Sequence, residues 1–412
     1  MSKKQFDIVV FGATSFVGQI LTKYLLNNFN NEGQEQLNWA LAGRSESKLN
    51  TLKQECGIEA SKLPVIIADA ADQSALEAMC KQTNVVVSTV GPYALYGEPL
   101  VKACVETGTD YCDLTGEVQW IRRMITKYEA QAKKTGARIV HCCGFDSIPS
   151  DMGVYFLQQQ AKQQLGEHCN TIKMRVKAAK GGASGGTVAS MVNITKEAAA
   201  NPALRKELAN PYSICPENHS FTARQHNVST TEFDQDLNAW AAPFVMAGIN
   251  TRVVHRSNAL SDNAYGKDFK YDEAMLTGPG FKGRLKANVV VAGLAGFLIG
   301  AAIKPSRWAL ERFVLPKPGE GPSPKEQLSG YYDLRFVGST SKGQKITTKV
   351  TGQGDPGYGS TSKMLGQAAA FLALDLKKED KPGGFWTPAT AFDNRFIRRL
   401  TEKADLNFEV ID

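Results

Sequence analysis

The chain is poor in the residues that hold metals. Its 412 residues include 5 histidines and 8 cysteines. No two cysteines stand as C-x-x-C, and no histidine pair has zinc spacing. The cysteines are Cys56, Cys80, Cys104, Cys112, Cys142, Cys143, Cys169 and Cys215. Most sit in apolar runs and read as reduced core residues of a cytoplasmic protein. Blocks of lysine or arginine are missing, so the net charge of +7 suits an anionic cofactor or acidic partner and speaks against nucleic acid. The Gly-Lys-Ser/Thr ending of a P-loop is absent, as is a Tyr-x-x-x-Lys pair on an obvious helix. Internal repeats are not apparent. Strand-like sequence begins at Phe6, which leaves no room for a signal peptide.

What is present describes a soluble globular chain, with 42% hydrophobic and 22% charged residues. Its length predicts two domains. Phe6–Phe11 is a short apolar run that ends in Gly12-Ala13-Thr14-Ser15-Phe16-Val17-Gly18. An apolar pattern at helical spacing follows. Strand, glycine turn and helix together let backbone approach a pyrophosphate and aim a helix N-terminus at it. Gly12 turns the chain and Gly18 lets the helix pack closely. Ser15 stands where the related G-x-x-G-x-x-G spacing has its middle glycine.

Further strands are expected at 38–42, 63–68, 84–90, 110–114 and 137–142, with helices between them. Alternation of this kind predicts a doubly wound parallel sheet, with its ligand at the carboxyl ends of the strands. Those ends carry Arg44, Ser45 and Lys48, then Asp69, then Val90, Gly91, Pro92 and Tyr93, then Asp113 and Glu117, then Gly144, Asp146 and Ser147. An acid at the end of the second strand would bind a ribose 2′-hydroxyl. Gly43-Arg44 stands there instead, and a guanidinium fits a 2′-phosphate, so the pattern favours NADP(H). Asp69 could reach the adenine edge or cap a loop. Ser150 is expected to cap the helix that follows.

Alternation stops near Leu165. Strands are expected at 171–178, 251–256, 331–337 and 344–351, the last two as a hairpin, which suggests a mostly antiparallel α+β domain. Gly181–Thr187 is a second glycine-rich turn. Residues 316–324 read as a rigid linker. Helices return after Gly357, at about 362–376 and as a last helix that Thr387-Pro388-Ala389 opens and that runs to about Lys403, and 408–411 reads as a short final strand. Val289–Ile303 has no polar side chain. As a helix it would rise roughly 22 Å, short of the ~30 Å hydrocarbon core. It reads either as an ordinary buried helix or, since cations flank it, as a segment beside the substrate cleft that covers an apolar substrate or docks to a membrane or a partner subunit.

Several blocks together resemble the saccharopine dehydrogenase-like oxidoreductases, in their trans-acting enoyl reductase branch. They are Gly12–Gly18, Ala42–Ser45, Val90–Gly97, Tyr111–Glu117, Gly144–Asp151, Ser184–Thr187, Leu315–Pro322, Asp355–Tyr358 and Gly384–Ala389. The resemblance implies an NAD(P)-binding Rossmann domain at 1–165, an inserted α+β domain at 166–355, and C-terminal helices at 356–412 that return to the first domain.

These readings predict an NADPH-dependent reductase for the C=C bond of an apolar or acyl-type substrate. Tyr93, Asp146 and Ser147 are the candidates for the polarising or proton-donating group, with Tyr96, Asp113 and Glu117 behind them. His141 reads as a core histidine with no identifiable partner. A saccharopine-type C–N dehydrogenase would instead need converging cations, for which Arg175, Lys177, Arg224, Arg252 and Arg256 are available. A non-catalytic NADP-binding, lipid-associated protein is a third reading. The expected location is cytoplasmic with possible membrane association, and a homodimer is an open possibility.

Overall fold

The computed structural model describes residues 4–29, 35–145, 147–182, 185–310, 312 and 321–411. Of the sequence-based expectations, Asp146, Ser184 and most of the 316–324 linker lie outside the described residues. In chain order the strands are β1 (Phe6–Phe11), β2 (Trp39–Gly43), β3 (Val65–Ile67), β4 (Thr83–Ser88), β5 (Asp110–Asp113), β6 (Arg138–Val140), β7 (Thr171–Lys180), β8 (Glu232–Asp234), β9 (Ala239–Pro243), β10 (Lys270–Gly278), β11 (Tyr331–Ser339), β12 (Lys345–Gln353), β13 (Gly384–Trp386) and β14 (Leu406–Ile411).

The first sheet is 7-stranded in the order β13-β6-β5-β4-β1-β2-β3, and its pairs are all parallel. Helices cover both faces, so the central strands are apolar on both sides. Ile8, Val9 and Val10, and Val85, Val86 and Val87, are fully buried. Each such side chain contributes about 1.5–3 kcal/mol by leaving water. The helix Phe16–Phe29 lays Val17, Leu21, Leu25 and Phe29 on this core at one-turn spacing. The second sheet is also 7-stranded, in the order β14-β12-β11-β7-β10-β9-β8. It is antiparallel except where β7 runs parallel to β10.

The chain forms two compact units. The first holds the chain up to Phe145 together with Gly357–Asp405; the second holds most of the chain between them and the last strand. The division falls at Phe145 and not at 165, because the helix Ile148–Leu165 packs on β11, β12 and β14. Gly153 makes that packing close: a Cβ there would sit 2.4 Å from the Phe336 ring. In the first unit, β13 pairs with β6, and Arg138 ties the returning segment down. Its guanidinium donates to the carbonyls of Leu376 (2.8 Å), Lys377 (3.1 Å) and Leu372 (3.1 Å), and pairs with the buried Asp110.

Four expectations need correction. Residues 251–256 are not a strand but the middle of the helix Ala247–Leu260, which buries Ile249, Val253 and Val254. Ser147, not Ser150, is the residue at the N-cap of the helix Ile148–Leu165. The last helix is two helices, Pro388–Ala391 and Asn394–Lys403, the second capped by Asp393 through the Arg395 N–H. The apolar stretch 289–303 is the later part of a 23-residue helix, Gly280–Ala302.

Candidate active site

The glycine turn is built as a close-packed cradle. Gly12 has φ +85°, and a Cβ on it would meet Val90 Cγ2 at 2.5 Å and Thr89 Oγ1 at 2.9 Å. A Cβ on Gly18 would lie 2.2 Å from the Gly12 carbonyl and 2.8 Å from that of Ala13. Neither place tolerates a side chain, so the helix start and the turn come together only through glycine. Ser15 is not a defect in the pattern. Its Oγ accepts the Gly18 N–H at 2.9 Å, which makes it the cap of the helix Phe16–Phe29. The same hydroxyl donates to Thr89 Oγ1 at 2.9 Å, and Thr89 Oγ1 donates to the Gly12 carbonyl at 2.9 Å. Turn, helix and β4 are thereby fastened together. Ala13 and Val17 are buried, while Thr14, Ser15 and Phe16 are partly exposed at the helix start, where amides left over from helix pairing can meet an anion. The cradle fits a dinucleotide pyrophosphate.

At the end of β2, Arg44 and Lys48 are exposed, while Ser45 accepts the Lys48 N–H at 3.4 Å and caps the helix Glu46–Cys56. Glu46 occupies the first turn of that helix, where a carboxylate answers the helix dipole. Past β3, the exposed Asp69 accepts the Ala71 N–H at 2.9 Å, so it braces the loop that leads to the next helix. Past β4, Val90 packs over Gly12, Gly91 is exposed, and the Gly91–Pro92 bond is cis.

Tyr93 is buried, and its hydroxyl donates to the Ser88 carbonyl at 3.0 Å. Tyr96, by contrast, is exposed. The Tyr93 and Ala94 N–H groups donate to the two carboxylate oxygens of Glu117, at 2.7 and 3.0 Å. Glu117 is fully buried and works as an anionic cap on the short helix Tyr93–Tyr96. Gly144 is buried beyond β6, and the Phe145 N–H donates to Thr361 Oγ1 at 2.9 Å.

A feature absent from the sequence reading joins the ends of β5 and β6. Asp113 is fully buried and accepts four hydrogen bonds. His141 Nδ1 lies 2.7 Å away, the Tyr111 hydroxyl 2.9 Å, and the Thr115 and Cys142 N–H groups 3.1 Å each. His141 therefore does have a partner. Its ring also meets Trp120 edge-on, with centroids 5.0 Å apart, and Phe385 at 5.7 Å. Burial and the neighbouring Asp113 charge push the Tyr111 phenol well above its ordinary range, so it remains a donor.

In the second unit, Ser147 belongs to a buried polar chain. Its Oγ donates to Asn250 Oδ1 at 3.0 Å, and Asn250 Nδ2 donates to Glu273 Oε2 at 2.9 Å. The Tyr271 hydroxyl donates to Glu273 Oε1 at 2.7 Å, and Ser257 Oγ donates to Asp151 Oδ1 at 2.6 Å. Burial pushes the Glu273 carboxyl up to about 7, against hydrogen bonds from Tyr271, Ser150 and Asn250. Burial, aided by Arg252, pushes the His255 imidazole down to about 3.

Three of the five cations that a C–N dehydrogenase could draw on, Arg175, Arg252 and Arg256, are engaged elsewhere. Arg175 is buried between Asp234 (2.7 Å) and Asp272 (2.6 Å). Arg256 donates to the Ile214 carbonyl at 2.6 Å, and Arg252 to that of Leu208 at 2.6 Å. Among the described residues, no group of three or more His, Cys, Asp or Glu could hold a metal.

Comparison with known proteins agrees with this geometry. Residues 8–140 match the family of the saccharopine dehydrogenase NADP binding domain. A Mycobacterium tuberculosis (strain ATCC 25618 / H37Rv) protein, provisionally named a trans-acting enoyl reductase, is 39% identical over 409 residues, covering 96% of each chain. The trans-acting enoyl reductase of Mycobacterium ulcerans (strain Agy99) is 37% identical over 416 residues, covering 97% of each. The fold is shared with apo saccharopine dehydrogenase (L-Glu forming) from Saccharomyces cerevisiae, at TM-score 0.52 and 13% identity over 99% of this chain and 100% of that one. The first unit is thus of the NAD(P)(H)-binding class, and the chain belongs to the saccharopine dehydrogenase-like oxidoreductases, among the relatives of the trans-acting enoyl reductases.

Proposed function

We propose that the protein is an NADPH-dependent oxidoreductase that reduces the C=C bond of an enoyl group on an apolar or acyl-type substrate. The observation that carries the reading is the Gly12–Gly18 cradle with Arg44 at the neighbouring strand end, in a chain alike over 96% of its length to relatives named as enoyl reductases. Gly12, Ala13, Thr14, Ser15, Phe16, Val17 and Gly18 would hold the pyrophosphate by backbone amides and the helix dipole. Arg44, with Lys48 beside it, would pair with the 2′-phosphate while Ser45 holds the strand end in shape. Asp69, which braces the loop after β3, would face the adenine. Val90, Gly91, Pro92 and Gly144 would supply apolar backbone surface at the carboxyl ends of β4 and β6.

When bound, the reduced nicotinamide supplies the hydride for one carbon of the double bond. The other carbon takes a proton, for which Tyr93 and Ser147 are the described candidates. Each hydroxyl is already donated, to Ser88 and to Asn250, so each must leave that acceptor to act. Tyr93→Phe keeps the packing on Trp120 and removes the hydroxyl together with its bond to the Ser88 carbonyl, so its turnover is read alongside its melting curve.

The test is oxidation of NADPH in the presence of a long-chain 2-enoyl thioester, followed optically, with NADH in parallel. Turnover of the thioester with NADPH is expected, with identification of the saturated product. Binding of NADPH without consumption of enoyl thioesters of any chain length would overturn the reaction. Equal use of NADH would overturn the cofactor preference.

A further inference from the structure

The helix Gly280–Ala302 is unlike the other helices of its unit. It runs off the end of β10 and packs along β9, β10 and the helix Gly185–Ala200. The contact uses one narrow stripe. Gly283, Ala287 and Ala301 are buried, and Val290, Leu294 and Phe297 between them are half-buried. These positions recur at spacings of four and three, as one face of a helix does. Apart from the half-buried Val291 and Gly300, the rest of the stretch from Val289 onward faces outward. On a surface helix that outer face is polar. Here, from Val289 to Ile303, it has no polar side chain at all. Val289 is 64% exposed, Leu298 53% and Ile299 62%. Only 11% of its most apolar 18-residue stretch is buried.

The ends of the helix show what this face meets. Lys282, Arg284 and Lys286 stand at one end, and Lys304 and Arg307 at the other. No Asp or Glu occurs from 274 to 310. Asp236, the carboxylate that borders Leu285, Lys286 and Val289, is already paired with Lys173 and Lys345. The charge left at the edge of the apolar face is therefore positive. Phe281 (80% exposed) and Trp308 (62% exposed) sit among these cations, and aromatic rings beside cations suit the headgroup level of a bilayer. At 23 residues the helix is long enough to span, rising ~35 Å. Its inner stripe, however, is covered from Gly283 to Ala301, so a helix surrounded by lipid would have to shed that cover.

We infer that the helix Gly280–Ala302 is an in-plane docking element for an anionic lipid surface: the protein body takes the place of the polar face, Val289, Leu298 and Ile299 enter the acyl boundary, and Lys282, Lys286 and Lys304 meet the headgroups. The inference is independent of the reaction, since it rests on the outer face of the second unit alone. Leu294 and Phe297 belong to the inner stripe, so a test must spare them.

Flotation of the full chain with vesicles decides it. Vesicles of phosphatidylcholine with phosphatidylglycerol should carry the protein, and pure phosphatidylcholine should not. Leu298→Gln with Ile299→Gln, two exposed side chains, should lower the bound fraction roughly tenfold or more with an unchanged melting curve. Lys282→Gln with Lys304→Gln should reduce the preference for anionic vesicles. No flotation, or equal flotation with both lipids, overturns the inference. Retention through an alkaline carbonate wash overturns the in-plane arrangement in favour of a span. Self-association that Leu298→Gln with Ile299→Gln abolishes, in a protein that ignores vesicles, assigns the face to a second copy.

Discussion

His141 is held by its Nδ1 on Asp113, at 2.7 Å, and its other ring nitrogen, Nε2, is buried with no partner among the described residues. The pair bridges β5 and β6 where the two strands end, and Asp113 takes two backbone N–H groups and the Tyr111 hydroxyl as well. Removing the carboxylate orphans several donors at once. Asp113→Ala is expected to cost about 3–5 kcal/mol, as for a broken buried pair. The shift of the urea unfolding midpoint measures it. A loss under about 1 kcal/mol would mean that water replaces the carboxylate at little cost.

On the proposed reading, Arg44 carries the cofactor preference. Arg44→Ala should weaken NADPH binding by on the order of 1.5–3 kcal/mol and leave NADH binding nearly unchanged. Fluorescence titration of both cofactors on both proteins gives the comparison. Equal affinities of the unaltered protein for NADPH and NADH would remove Arg44 from the 2′-phosphate.

Gly18 tests the cradle without touching charge. A methyl group there would stand 2.2 Å from the Gly12 carbonyl, which belongs to backbone and cannot rotate aside. Gly18→Ala must push the helix Phe16–Phe29 off the turn. The expected result is a loss of about 1–3 kcal/mol in stability together with weaker binding of both cofactors. A variant that melts and binds like the parent would show that the helix start gives way freely.

Much of the first unit was legible in the sequence because its signals are local. A strand, a glycine turn and a helix follow one another within Phe6–Phe29, and β-branched runs such as Val85–Val87 mark strands buried on both faces. Pairing across strands left no such signal. Asp113 and His141 lie 28 residues apart and meet only because β5 and β6 run parallel. β13 is three residues long, too short for a period to show, and it is a strand because β6 offers it an edge. Thr251–Arg256 misled for a different reason. Its β-branched residues suggest a strand, but Val253 and Val254 are buried on a helix, where packing outweighs propensity. Ser15 looked like a lost glycine because the pattern asks for backbone freedom, while the fold at that point asks for a cap.

Glu273 supplies a pH dependence whose sign can be worked out. Its side chain is buried, and burial pushes the carboxyl up to about 7, from the usual range near 4.3. Between those values the folded protein holds a proton that the unfolded chain has lost. Folding then takes up a proton, so stability falls as pH rises through this window. Above about pH 7 the carboxylate is charged in a buried place and the loss is complete, at about 3–4 kcal/mol relative to pH 4. Asn250 and Tyr271 both donate to this carboxyl, so a neutral amide still finds partners. Glu273→Gln should therefore fold, and its stability relative to the parent should grow as pH rises from about 4.5 to 7 and then level off. Urea unfolding of both proteins across that range isolates the difference, since all other titrating groups are shared. A difference that stays flat with pH would show that Glu273 titrates alike in the folded and unfolded chains. One that grows as pH falls would show that its hydrogen bonds outweigh its burial.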